Sequence, residues 1–181
     1  MVMKGTKSQK LNWVLEPGDS IKRAELHDLY GGTRQGGISG STISPTVLLF
    51  TVAGDAFAGR QSVNWSHSNH GYRDKWETPE CKVYLYCGMG QVGDQDPLRS
   101  GNRAILNHQI EGRDLRLFTP NSGTVRYVGR FMIDQNNPYL VDTAPDRLGA
   151  LRKVILFRLR PFGEIAKWFS HDMISAWTNE G

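Results

Sequence analysis

The chain has 181 residues, 39% of them apolar, and its 22 Lys and Arg outnumber 18 Asp and Glu to leave a formal charge of +4. This length suits one domain with a substantial core, and the mild basic excess permits polyanion binding without requiring it. Two cysteines, Cys81 and Cys87, exclude a disulfide scaffold and a four-ligand zinc site, no apolar run is long enough for a membrane helix, and Met1 to Lys10 lacks the apolar core of a signal peptide. A soluble, cytoplasmic protein with no membrane partner is expected.

Residues 1–12 read as a polar leader, and Trp13-Val-Leu15 opens the ordered region. Pro17-Gly18-Asp19 marks a turn. Ile21, Leu26, Leu29 and Tyr30 then fall near helical spacing, which predicts a short helix over 21–30 with Asp19 or Ser20 as N-cap. Gly31 to Gly40 holds five glycines in ten residues, around Arg34, Gln35, Gly36, Gly37 and Ser39, and must be a shaped loop. Thr46 to Val52 is an apolar core strand. A long polar connection, 55–70, follows and leads to Gly71-Tyr72.

The stretch Val83-Tyr-Leu-Tyr-Cys-Gly-Met-Gly90 is the most informative. Alternation puts Tyr84 and Tyr86 on one strand face and Val83 and Leu85 on the other, and the strand opens onto Gly88, Gly90 and Gly93, then Asp94 and Gln95, like the rim of a pocket. Gly101-Asn102 caps a helix holding Ala104, Ile105 and Leu106. Leu115 to Phe118, Val125 to Ile133 and Lys153 to Arg160 read as strands. Phe162 to Trp177 carries Ile165, Trp168, Phe169 and Met173 on one stripe, predicting an amphipathic helix that packs on the sheet or meets a second copy or a partner domain. The pattern is α+β: a β-rich domain over 13–161, a few helices, and a C-terminal helix and tail over 162–181.

His67, Asn69 and His70 superficially match the residues of an HNH nuclease, but the ββα-metal flanks such a site needs are missing; a metal site from His67, His70 and Asp74 is equally unsupported. No nucleophile triad or phosphate loop stands out, so no catalytic residue, cofactor or metal is expected.

Gln35-Gly-Gly-Ile-Ser-Gly40, Gly71-Tyr72, Val83 to Gly90, Gly101-Asn-Arg-Ala104 and Val125-Arg-Tyr-Val-Gly-Arg130 occur in an order that resembles SET- and RING-associated (SRA or YDG) domains. The run Glu25 to Ile38 and the run Arg152 to Pro161 are most similar to the SRA-like modules of bacterial McrA-type modification-dependent endonucleases. The resemblance, over about 17–161, implies a PUA-like, curved and partly open β-barrel. It also implies a reader that grips duplex DNA and flips a modified cytosine, 5-methyl or 5-hydroxymethyl, into an aromatic pocket. By that likeness Tyr72 and Tyr86 flank the base, Asp74 or Glu77 accepts from its amine, and the amides of Cys87 and Gly88 touch it. Arg34, Gln35, Gly36, Gly37 and Ser39 form the loop that enters the groove, joined by Arg99, Asn102 and Arg103. The second finger between the glycine motif and Asn102 is cut to Val92–Ser100, which puts strict CpG reading in doubt. The implied partner is double-stranded DNA, with a nuclease domain fused or supplied separately and a homodimer as further partners. An RNA-binding or nucleotide-processing protein of the PUA-like class is the alternative.

Overall fold

The computed structural model describes residues 12–51 and 74–170. In chain order the elements are β1 (Ser20–Lys22), α1 (Arg23–Tyr30), β2 (Ile38–Gly40), β3 (Thr46–Phe50), β4 (Lys75–Trp76), β5 (Tyr84–Cys87), α2 (Ser100–Leu106), β6 (Asp114–Asn121), β7 (Thr124–Ile133), β8 (Tyr139–Pro145) and β9 (Leu151–Ile165). The strands make one open sheet in the order β2-β3-β6-β7-β9-β5-β4, with β1 on β7 and β8 on β9. Every pairing is antiparallel except β3 with β6.

The apolar run of β3 is continuous because both its faces are covered. Val47 and Leu49 enter the main core with Tyr84, Tyr86, Leu115, Leu117, Phe131 and Phe157, whereas Leu48 and Phe50 face a second cluster under α1 with Leu26, Tyr30, Phe118 and Tyr127. Trp13 closes that second cluster, 4.3 Å from the Tyr30 ring and 5.2 Å from Tyr127. On β5 the alternation holds: Tyr84 and Tyr86 face the main core, and Val83, Leu85 and Cys87 face a third cluster with Val154 and Leu156.

The β6–β7 hairpin turns on Ser122 (φ 48°) and Gly123 (φ 83°), between the paired Asn121 and Thr124. Two successive positive φ values give a turn whose twist matches that of the flanking strands, and glycine takes the second at no steric cost.

The structure differs from the sequence expectation in several places. Ile38–Gly40, inside the glycine stretch read as loop, is strand β2, and α2 begins at Ser100 behind Arg99, so Gly101 and Asn102 lie within the helix and do not cap it. Residues 20–22 are not helical but pair with Arg126, Val125 and Thr124 of β7, so α1 starts at Arg23 and neither Asp19 nor Ser20 caps it. The Asp19 carboxylate instead accepts from the Glu16 amide at 2.8 Å. At the other end, 162–165 are strand: β9 bends past Pro161 and Gly163 and pairs again at Ile165 with Gly129. Helix begins only at 167, and Phe169 is buried there against Trp76 and Tyr84 as the apolar stripe requires. Finally β8 is a whole strand for which the sequence reading had no element.

Candidate nucleic-acid interface

The glycine loop, β5 and α2 enclose a cavity of about 520 Å³, lined among others by Gln35, Gly37, Asp74, Tyr86, Gly88 and Ala104. Its floor is built from side chains that hold backbone. The Tyr86 hydroxyl donates its one hydrogen to the Gly37 carbonyl at 2.6 Å, with the Phe50 carbonyl at 3.2 Å as the second acceptor within reach, tying the loop to β5 through the ring. The loop is held from α1 as well: Arg23 donates to the Gly36 carbonyl at 2.7 Å while its guanidinium lies 3.9 Å over the Phe50 ring. Ser39 is buried and anchors the loop to itself, accepting from the Thr33 amide at 2.7 Å.

The opposite wall depends on β5 and α2 coming close together. A Cβ on Gly101 would stand 2.9 Å from the Met89 sulfur and 3.0 Å from Ile38, so only glycine lets the first turn of α2 reach β2 and Met89. Asn102, fully buried, exchanges two hydrogen bonds with the Met89 peptide and donates a third to the Asp96 carbonyl. Gln95 does the same beneath Gly88: it donates to the Gly88 carbonyl at 2.7 Å and accepts from the Ile155 amide at 2.8 Å. Arg152, 4% exposed, donates to the Gly90 and Gly93 carbonyls.

Asp74 is the one carboxylate among the described lining residues, and it is 8% exposed. One oxygen accepts from the Cys87 amide at 2.7 Å and the other from the Thr51 hydroxyl at 2.8 Å. A buried carboxylate survives only with such donors. Thr51 in turn contacts the Tyr84 hydroxyl. Burial, then the charge of Asp74, pushes the Tyr84 phenol well above its usual range, so it stays protonated.

The candidates from the sequence separate in space. Asp74, Tyr86, Cys87, Gly88, Gln35, Gly36, Gly37 and Ser39 come together around the cavity. Cys87 takes part through its backbone, since its side chain belongs to the cluster on the other face of the sheet. The amides of Cys87 and Gly88 donate to Asp74 and to the Ile155 carbonyl respectively. Glu77 does not reach the cavity; it forms a two-pronged pair with Arg158 at 2.9 and 3.3 Å, and Arg158 also meets Asp134 at 3.0 Å. Arg34 lies outside the lining, paired with Asp28 of α1. Arg99 and Arg103 are exposed at the start of α2, whereas Asn102 is internal. Tyr72, His67, Asn69 and His70 lie outside the described residues. The sequence reading passed over Thr51 and Arg152, and it read Gln95 only as rim. Their signal is weak, since each is a single polar residue whose partner is distant in the chain. Among the described residues no group of three His, Cys, Asp or Glu could hold a metal ion, and no helix is long and apolar enough to cross a membrane.

Solved structures share this architecture. The sulfur-binding domain and SRA domain of ScoMcrA complexed with phosphorothioated DNA superposes with a TM-score of 0.57 at 21% identity, covering 90% of this chain and 46% of that one. The SUVH5 SRA domain in complex with hemi-methylated CG DNA gives 0.54 at 20% identity over 84% of this chain and 92% of that one. The modification-dependent TagI restriction endonuclease gives 0.51 at 18% identity, covering 82% of this chain and 50% of that one. The chain thus spans less than half of the ScoMcrA chain it matches. No curated protein matches it. At these identities the structures establish the fold, an open PUA-like sheet with flanking helices. Residues 17–178 match the family model described as the ScoMcrA-like SRA domain, and the chain belongs to that family.

Proposed function

We propose that this domain binds duplex DNA carrying a modified cytosine, 5-methyl or 5-hydroxymethyl, and reads that base after it leaves the stack. The observation that carries the reading is Asp74: a carboxylate held by two donors inside a cavity large enough for a base. Such a group suits the exocyclic amine of cytosine, which needs an acceptor. Unstacking costs a few kcal/mol, and base–aromatic stacking returns about 1–3 kcal/mol per base. Tyr86 lines the cavity with 2% of its surface exposed and its hydroxyl held by the glycine loop; the family likeness makes Tyr86 and Tyr72, the latter outside the described residues, the stacking pair. By this reading Gln35, which lines the cavity, meets the orphaned partner base, and Arg34, Arg99 and Arg103 meet phosphates. The neighbours complexed with methylated or phosphorothioated DNA support this reading, and TagI supports a modification-dependent restriction setting in which cutting resides in another domain or chain.

The test is a fluorescence titration at fixed salt against matched duplexes carrying cytosine, 5-methylcytosine, 5-hydroxymethylcytosine or a phosphorothioate linkage, with single-stranded RNA as control. A preference of tenfold or more for a modified cytosine, about 1.4 kcal/mol, is expected. Equal binding to every duplex would overturn the reading. Selective binding of the phosphorothioate would move recognition from base to backbone, and preference for RNA would favour an RNA-binding role.

A further inference from the structure

We infer that Tyr84 and Thr51 are positioning residues that lock the Asp74 carboxylate as a hydrogen-bond acceptor, and that this lock makes the cavity refuse thymine while admitting 5-methylcytosine. The inference rests on the proposed function and adds two specificity-determining residues to it.

The two bases pose a demanding problem. They carry the same methyl group on the same ring, so a cavity that measures shape admits both. They differ at position 4, where cytosine bears an amine donor and thymine a carbonyl acceptor, and at ring nitrogen 3, where cytosine accepts and thymine donates. A carboxylate that can turn could leave the position 4 edge and take the thymine N3–H instead. One that cannot turn meets the thymine carbonyl with an acceptor of its own, which leaves two acceptors opposed in a dry site.

The structure supplies the means to prevent turning. Asp74 is gripped at both oxygens, by the Cys87 amide at 2.7 Å and the Thr51 hydroxyl at 2.8 Å. Thr51 is itself immovable. It is fully buried at the end of β3, and its amide donates to the Phe118 carbonyl at 3.0 Å. With its hydroxyl hydrogen directed at Asp74, the Thr51 oxygen is left to accept, and Tyr84 supplies the hydrogen. Tyr84 is fully buried and its ring is clamped by Trp76 at 5.3 Å and Phe169 at 5.1 Å. The direction of donation therefore runs from Tyr84 to Thr51 to Asp74, ending on a carboxylate that accepts and cannot donate.

The experiment titrates the chain at fixed salt with three duplexes that differ in one base opposite guanine: 5-methylcytosine, cytosine or thymine. The T·G mismatch is the easier one to extrude, so a preference for 5-methylcytosine over thymine must arise in the cavity and not from the cost of opening. Wild type is expected to prefer 5-methylcytosine over thymine by at least tenfold. Thr51→Val is expected to lower that ratio at least fivefold, Thr51→Ser to restore it, and Tyr84→Phe to lower it in part. The double variant T51V/Y84F removes the two paired hydroxyls together, so the Tyr84 donor is not left facing a methyl group, and it serves if Thr51→Val alone does not fold. Folded variants that keep the wild-type ratio, or a loss that Thr51→Ser does not restore, would overturn the inference. If wild type prefers neither 5-methylcytosine nor, in the titration above, 5-hydroxymethylcytosine over cytosine, the proposed function falls and takes the lock with it; if wild type prefers 5-methylcytosine and the variants discriminate unchanged, the lock alone falls.

Discussion

The side-chain amide of Asn102 is paired with the peptide of Met89. Its Oδ1 accepts from the Met89 amide at 2.7 Å, and its Nδ2 donates to the Met89 carbonyl at 3.1 Å and to the Asp96 carbonyl at 2.8 Å. Asn102 is fully buried, so it acts as a strand partner for a stretch of chain that has left the sheet. Asn102→Ala is expected to unpair one amide and two carbonyls and to lower unfolding free energy by about 2–4 kcal/mol, below the full cost of about 1–3 kcal/mol for each buried group because Met89 is half-buried and Asp96 exposed. Urea denaturation measures the loss. An Asn102→Ala variant of wild-type stability would show that water takes over the three bonds.

Asp74 and Glu77 lie three residues apart, and their surroundings assign them different work. Asp74→Asn swaps one acceptor for an NH₂ that must face either the Cys87 amide or the Thr51 hydroxyl. It is expected to abolish the preference for a modified duplex, by tenfold or more, in the titration described above. Glu77→Gln weakens only the pair with Arg158, whose guanidinium is held above its usual range by the hydrogen bond it donates to Glu77. The pair is partly buried, its side chains 13% and 31% exposed, and contributes on the order of 1 kcal/mol. Its variant is expected to keep full preference, and loss of preference in Glu77→Gln would return that carboxylate to the recognition site.

Periodicity revealed the strands that are buried or alternate, and it failed where the chain does neither. The run at β3 and the two-faced pattern of β5 are written in residue type because burial on a face demands apolar side chains there. β8 has no such constraint over most of its length: Val141, Asp142 and Thr143 are exposed on a strand that pairs on one side only. The sequence reading ends this strand at Arg160 and starts a helix at Phe162, yet β9 continues through an irregular step to Ile165, where pairing with Gly129 defines its far end. At the site, residue types predicted the glycine loop, and the family resemblance implied a carboxylate, Asp74 or Glu77, for the base. The choice between Asp74 and Glu77, and the internal roles of Asn102 and Gln95, depend on which backbone groups lack strand partners, and that is known only once the chain is folded.

Arg34 is held back by Asp28. The pair lies on the surface, between α1 and the loop that the proposed function places in the groove. Asp28→Ala is expected to release the guanidinium for a phosphate. Affinity for every duplex should then rise about two- to fivefold regardless of modification, and the salt slope should steepen by about 0.9, the value of one phosphate contact. Thermal stability should barely change, because exposed pairs contribute little. Unchanged affinity and slope in Asp28→Ala would mean that Arg34 does not face DNA.

Two buried histidines set the acid side of stability. His108 accepts from the Ile133 amide through Nε2 at 3.2 Å, and its Nδ1 lies 2.9 Å from the Arg113 carbonyl, an arrangement that suits the neutral ring protonated at Nδ1. His27 is arranged alike, with Nε2 taking the Arg23 Nε–H and Nδ1 against the Gly31 carbonyl. Burial, the largest influence on each, pushes both below the usual histidine value, and the Arg23 and Arg34 charges add to this at His27. With the folded values depressed, the unfolded chain takes up these protons first as pH falls. The stability they support is thus fully present above about pH 6.5 and is lost as pH falls through the folded values, with a slope of up to about 1.4 kcal/mol per pH unit for each ring. Urea midpoints measured from pH 7.5 to 5.5 should be level at the upper end and decline below 6.5, and His108→Gln should show a shallower decline. A flat profile across that range would mean that neither ring is kept neutral by the fold.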